Sequence, residues 1–340
     1  MIPACAVWFS GPRTVELRKE RVAAPGPGEV QVRALASAVS RGTELLVYRG
    51  EVPPGLPLDL PSLVGGYGFP IKFGYASVGR VETAGPDVTR PAPGDLVFAL
   101  HPHQSVYTLP AELTVALPAG LDPALGTFTA NLETAISIAH DSELRMGETA
   151  VVLGQGVVGL LVTQLLRRTG ASQVLAVDPL PSRRALALRV GAHQALEPGR
   201  DLAERVRERT DGRGADVAVE VSGSTAALQA GVEAVAVEGT VVVASWYGAK
   251  PVTLELGGHF HRGRVRLRSS QVGRVAPELS ARWDAARRLA TAVELLPTLE
   301  LALLVTSRAP VQAAAEVYRR LDMQPGEDVV ALLTYGDGDV

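Results

Sequence analysis

Residues 149–178, TAVVLGQGVVGLLVTQLLRRTGASQVLAVD, hold three glycines and one carboxylate at spacings that suit dinucleotide binding. Thr149–Leu153 is a short apolar run, long enough for a strand buried on both faces. Gly154, Gln155, Gly156, Val157, Val158 and Gly159 follow at once, and then an apolar-rich segment of helix length, Leu160–Arg168. Gln173–Val177 supplies the next strand, with Asp178 at its end. In such a unit the first glycine permits the tight turn. The second lets backbone amides approach a pyrophosphate, and the third lets the helix pack closely on the strand. The helix N-terminus then faces the phosphates with its positive dipole end. Asp178 lies 19 residues past Gly159, about where a carboxylate meets the adenosine ribose hydroxyls. That charge repels a 2′-phosphate and favours NAD over NADP, although Arg183 and Arg184 are near enough to offset part of it. The bland alternative is a glycine-rich turn in an ordinary α/β domain.

Other polar groups carry weaker signals. His101 and His103 are two apart on a strand-like segment, so both are placed to face one side, and His259 and His261 repeat the spacing. Four converging imidazoles would make a metal site; more often such residues bond to backbone or line a polar cleft. His140 and His193 have no distinguishing context. Ser222-Gly223 and Ser245-Trp246-Tyr247-Gly248 end later strands of the same sheet. Ligands of open α/β sheets bind at the carboxyl ends of strands, so Ser222, Ser245 and Trp246 are expected to border the cofactor. Arg262, Arg264, Arg266 and Arg268 alternate along one expected strand, which reads as a solvated or interface face.

The elements that must position these groups fall into two textures. At 340 residues the chain exceeds the usual size of one core, so two domains are expected. The first 125 residues read as β-rich, with strand-like runs at Val15–Leu17, Glu29–Val39, Ala76–Ala84 and Asp95–Leu100 between Pro-Gly turns. The loop Gly50–Phe73 is rich in Gly and Pro, the kind of segment that covers a site. Leu125–His140 reads as a helix, after which α/β alternation runs to about residue 273. Ala185–Val190, Leu202–Arg209 and Thr225–Ala236 are helical, while Val217–Val221, Thr240–Ser245 and Val265–Ser269 are strands. A return segment closes the chain, with helices at Glu278–Leu296 and Pro310–Leu321 and a last strand at Asp328–Leu333. The expected division is 1–130, 131–274 and 275–340, a parallel-sheet domain inserted between two parts of a β-rich one.

Composition excludes several partners. A net charge of −3, with arginines spread along the chain, gives no reason to expect nucleic acid. Cys5 is the only cysteine, so neither an internal disulfide nor a Cys-rich zinc site can form. Met1–Ser10 lacks a basic n-region, and no apolar window is long enough to cross a bilayer. A cytoplasmic enzyme acting on a small molecule, with no membrane partner, is the expectation.

The layout resembles the medium-chain dehydrogenase/reductase superfamily over nearly the whole chain. Ser40-Arg41-Gly42-Thr43-Glu44 sits where that family often carries Cys-Gly-Thr-Asp. Phe73 to Val81, FGYASVGRV, corresponds to its Gly-His-Glu strand with the following Gly-x-Val, and Gly94-Asp95-Leu96-Val97 matches Gly-Asp-x-Val. The first two segments are similar to those of the hydroxyethyl-bacteriochlorophyllide dehydrogenase branch. The resemblance implies a Rossmann-type doubly wound parallel sheet inserted into a GroES-like β-rich catalytic domain, and a homodimer through the edge strand near Val265–Ser270. It also implies that the junction at Asn131-Leu132-Glu133-Thr134, at the start of a helix, borders the nicotinamide. Glu133 there either bonds substrate or ribose, or only favours the positive end of its helix.

The departures matter equally. Where zinc-dependent members place a Cys and a His ligand, this chain has Arg41 and Tyr75, with Ala76 in place of the neighbouring Glu. Arginine cannot be deprotonated in proteins, and catalytic zinc needs three protein ligands and an open position. The resemblance is therefore to a zinc-lacking member. Without a metal, donors must stabilise the oxyanion that forms as hydride arrives. Family geometry implies that Arg41, Thr43 and Tyr75 point toward the metal's place. Tyr75 or Thr43 would be the proton donor or relay, Arg41 an electrostatic clamp, Glu44 an orienting residue and His101 or His261 a substrate contact. Alternatively, Arg41 pairs with Glu44 and Tyr75 merely fills the void. The expected function is zinc-independent, NAD-dependent hydride transfer with a secondary alcohol/ketone pair. The alternatives are reduction of a conjugated double bond, as in quinone or enoyl reductases, and a non-catalytic nucleotide-binding sensor or scaffold.

Overall fold

The computed structural model describes residues 1–53, 55–56, 58, 66–324, 326 and 328–336. Residues 54, 57 and 59–65 of the expected covering loop Gly50–Phe73 lie outside the described residues. The chain divides into two compact units, Asn131–Glu294 and Met1–Ala130 with Leu295–Val340. Among the described residues no helix is long and apolar enough to cross a membrane.

The unit Asn131–Glu294 is built on six parallel strands: Thr149–Leu153, Gln173–Val177, Gln194–Leu196, Ala215–Glu220, Val235–Val243 and Arg266–Ser269. Counted in chain order within the unit, they lie in the sheet as 3-2-1-4-5-6. This is the doubly wound order, in which direction reverses beside the first strand. Thr149–Leu153 is buried at every residue, as a strand covered on both faces must be. The helix Val157–Arg168 buries Leu160, Leu161, Val162, Leu165 and Leu166, and ends on Arg167 and Arg168, where cations suit the negative end of its dipole. Register keeps the strand ends level: Leu153 lies opposite both Val177 and Glu220, and Glu220 opposite Val243. The loops that follow these strands therefore leave one common edge.

The second unit carries a sheet of seven strands, including Glu29–Val39, Ser77–Ala84 and Leu96–Ala99, and a three-stranded sheet in which Ile2–Gly11 pairs with Thr14–Val22 and Ile71–Lys72. Its core gathers Phe9, Tyr48 and Tyr318, with Phe9 5.0 Å from Tyr318 and Tyr48 5.6 Å from it between ring centroids.

Several expected boundaries change. The return to the first unit falls at Leu295 rather than 275, because Ala285–Leu295 is held inside the sheet unit by Arg288. Of the four alternating arginines, only Arg266 and Arg268 lie on a strand. Arg262 ends the short helix His259–Arg262, and Arg264 adopts a positive φ of 53° in the turn that follows. The chain folds Thr43–Arg49 as a helix that was not expected, burying Glu44 to Tyr48 and stopping at Gly50, whose φ of 72° is left-handed.

Candidate functional site

The glycine turn has the geometry a dinucleotide needs. Gly154 has φ of 101°, and a Cβ there would stand 2.8 Å from the Ser222 side chain. At Gly159 a Cβ would meet the Gly154 carbonyl oxygen at 1.9 Å, so helix and strand close only around a hydrogen atom. Gly156 differs: a Cβ there would touch nothing within 4 Å. Packing within the chain leaves that side open, and a pyrophosphate lying on the backbone would use the space. Val157 and Val158 start the helix behind it. Gln155 turns inward. Its amide donates to Val152 O at 3.0 Å and accepts from Thr163 at 3.1 Å, so its side chain is committed within the chain.

Asp178 closes the cradle. One oxygen accepts from Gln155 N at 2.8 Å and the other from Leu180 N at 2.9 Å, so the carboxylate joins the glycine turn to the end of the neighbouring strand. Arg184 Nη1 donates to the carbonyls of Asp178 and Pro179, both at 2.8 Å. Arg183, next to it in sequence, is buried. Ser222 and Ser245 stand on the loops leaving the same sheet edge. Ser222 Oγ donates to Glu220, and Ser245 Oγ accepts from Gly223 N at 2.8 Å. Trp246 is exposed beside them.

In the β-rich unit the expected residues Thr43, Glu44 and Tyr75 meet. The Tyr75 hydroxyl donates to Ser40 Oγ and also bonds Thr43. Burial, then the nearby Glu44 charge, push its ionisation up to about 12. Arg41 is partly exposed in the same segment. Glu44 is fully buried, and its carboxylate accepts from Ser40 N at 2.8 Å, from the Tyr318 hydroxyl, and from His103 Nε2 at 3.0 Å. His103 is tied in turn to Ser37 Oγ at 2.7 Å, and Ser37 to the Tyr335 hydroxyl at 2.7 Å. Glu44, fully buried and bonded on both oxygens, is thus held as a positioning group for its neighbours. Gly74 is required beside it, since a Cβ there would stand 2.8 Å from the His103 ring.

The histidine pairs do not act as pairs. His101 stacks on Tyr107 with ring centroids 3.8 Å apart, and its Nδ1 bonds the Pro102 carbonyl at 3.0 Å. Burial depresses its ionisation to about 3, so it stays neutral and serves packing rather than proton transfer. His103, not His101, joins the polar cluster. His259 bonds the carbonyl of Val235, the first residue of its strand, so the His259/His261 pair lies at the amino edge of the sheet, away from the cradle. Glu133 is not at a helix start either. Its helix begins at Thr129, and its carboxylate is held by Arg288 at 3.0 and 3.1 Å.

Sequence reasoning named His103 only as one of a pair and did not name Tyr318 or Glu220. The first two are joined to Glu44 across 59 and 274 residues, beyond any local pattern. Glu220 carried a faint signal, an acid ending the apolar run Val217–Val219.

The donor set does not suit zinc. Arg41 has no lone pair to give, and among the described residues no three His, Cys, Asp or Glu side chains form a metal-holding group.

An open parallel sheet with this cradle, joined to a β-rich unit with a hydroxyl cluster, defines a nucleotide-dependent oxidoreductase fold. Comparisons agree. Residues 157–292 match the family model described as "Zinc-binding dehydrogenase". D-guloside 3-dehydrogenase of Escherichia coli K12 is 29% identical over 306 residues, 84% of this chain and 86% of that one. The 2-desacetyl-2-hydroxyethyl bacteriochlorophyllide A dehydrogenase of Cereibacter sphaeroides is 28% identical over 329 residues, 92% of each. The crystal structure of 2R,3R-butanediol dehydrogenase from Bacillus subtilis superposes with a TM-score of 0.81 at 21% identity, over 97% of this chain and 99% of that one. Over most of its length the chain is thus similar to dehydrogenases of the medium-chain type.

Proposed function

We propose that this protein is an NAD-dependent oxidoreductase that moves a hydride between the nicotinamide and a secondary alcohol/ketone pair without a catalytic zinc. The observation that carries the reading is the Tyr75 hydroxyl, bonded to Ser40 and Thr43 and kept protonated by burial and by Glu44. A bound nicotinamide supplies or accepts the hydride. The chain's own residues must manage the substrate oxygen, where negative charge grows as hydride reaches the carbonyl carbon. Tyr75 would turn its one proton from Ser40 Oγ to that oxygen, and it still carries that proton because its own ionisation waits until about pH 12. Thr43 adds a second hydroxyl and Arg41 a fixed positive charge in the same segment. Asp178, with both oxygens at the adenosine end of the cradle, favours NAD over its 2′-phosphorylated form by repulsion. The relatives' names are those of dehydrogenases, which favours an alcohol/ketone pair over a conjugated double bond.

The test is metal analysis of freshly prepared, unchelated protein together with NADH turnover of ketones, enones and quinones. We expect no stoichiometric zinc and turnover with ketones. Tyr75→Phe should lower kcat about 100-fold, the usual effect of losing one oxyanion donor, with NADH affinity unchanged. Zinc at one per chain, lost together with turnover, would overturn the reading.

A further inference from the structure

Glu220 ends the strand Ala215–Glu220 and is fully buried. Its Oε1 accepts from Ser222 N at 2.7 Å, Ser222 Oγ at 2.6 Å and Gly223 N at 3.0 Å, and its Oε2 from the Tyr247 hydroxyl at 2.7 Å. Four donors face the group, as suits an ionised carboxylate, and all four are neutral. A buried charge surrounded by neutral dipoles is costly to keep, and apolar packing could hold two loops together without it. The tyrosine feels this charge: burial first, then Glu220, raise the ionisation of Tyr247.

Register shows where the charge lies. A dinucleotide held at Asp178 and crossing the Gly154–Gly159 turn passes over the ends of Val177 and Leu153, and the next strand in that direction ends at Glu220. The nicotinamide half therefore belongs on the loops that Glu220 organises, Ser222–Gly223 and Ser245–Tyr247. We propose that Glu220 sets the redox balance of the bound cofactor, its buried negative charge favouring the cationic oxidised ring over the neutral reduced one. This rests on the NAD-dependent reading above. Two electrons and a proton leave the reduced ring as hydride for the carbonyl carbon, and the ring gains one positive charge, which Glu220 stabilises. The chain is thereby tilted toward ketone reduction.

The experiment measures dissociation constants of NAD⁺ and NADH for the intact protein and for Glu220→Gln, whose amide oxygen can still accept from the loop donors. A unit charge about 10 Å away at an effective dielectric near 20 predicts that the variant loses roughly tenfold in NAD⁺ affinity relative to NADH. Glu220→Asp, which keeps the charge, should restore the wild-type ratio even where both affinities fall. A ratio that Glu220→Gln leaves unchanged, with both affinities weakened equally, makes the residue a loop brace only and overturns the proposal. Should Glu220→Gln fail to fold, Ser222→Ala keeps the charge and removes one donor from it. The less neutralised carboxylate then tightens NAD⁺ relative to NADH, and an unmoved ratio again overturns the proposal. A wild-type protein that binds neither nucleotide would remove the dinucleotide reading and this inference together.

Discussion

Three glycines in one motif answer to different causes. Gly154 and Gly159 are fixed by neighbouring atoms of the chain itself, whereas Gly156 borders empty space. Only the last speaks directly for a ligand. Asp178 braces the turn through Gln155 N, and on the proposed reading it also meets the ribose. Asp178→Ser should therefore weaken NADH binding by about 1–3 kcal/mol, read by fluorescence titration of the folded variant. Unchanged affinity would separate the aspartate from the ribose. At this scale the sequence was legible wherever spacing is local. Gly154 to Asp178 span one strand-helix-strand unit, so their geometry follows from the period of those elements. The Glu44 cluster was not legible, since His103 and Tyr318 reach it from a loop and a helix far along the chain. Local spacing favours His101 equally, and only packing against Tyr107 tells them apart.

Elements defied local reading where apolar residues covered every side. Thr43–Arg49 contains Leu45, Leu46, Val47 and Tyr48, all buried, and such a run carries neither a 2- nor a 3.6-residue alternation. Its Gly42 N-cap offers no side chain to the first turn, so the usual start signal is missing too. The helices expected at Leu125–His140 and Glu278–Leu296 form over Thr129–Ser142 and Ala285–Leu295, but what holds them together was not foreseen. Arg288 is buried on the second of these, reaching Glu133 on the first with Nε and Nη2 and the Arg274 carbonyl at 3.1 Å. Truncating it leaves a partly buried carboxylate and the carbonyls of Arg274 and Val272 without their donors. Arg288→Met should cost about 3–5 kcal/mol in urea unfolding, and Arg288→Lys should recover little, because an ammonium cannot reproduce the planar fork. A loss under 1 kcal/mol would show that water replaces the guanidinium easily.

For the whole molecule, the alternation of strand and helix predicted an inserted parallel sheet, and the six strands take the doubly wound order. Boundary errors came from the return segment, where a side-chain contact rather than a composition change decides which unit owns a helix. Stability against acid is a property of the full chain. Burial is the first cause lowering the ionisation of His101, His140 and His193, and His101 falls to about 3. Because its folded value lies below the unfolded one near 6.5, the unfolded state takes the proton first. Stability is full above about pH 6.5 and declines as pH drops toward 3, by about 1.4 kcal/mol per unit for His101. His101→Gln should flatten the decline between pH 6 and 4 by that amount, whatever its effect at pH 7, in urea titrations at several pH values. Parallel slopes for the two proteins would contradict the burial argument.

The bond from Gln155 N to Asp178 has a consequence for recognition. Both arms of the receptacle are tied to one another by the chain alone, before any guest arrives. Ordering that would otherwise accompany docking is completed during folding, and more of the contact energy remains as affinity.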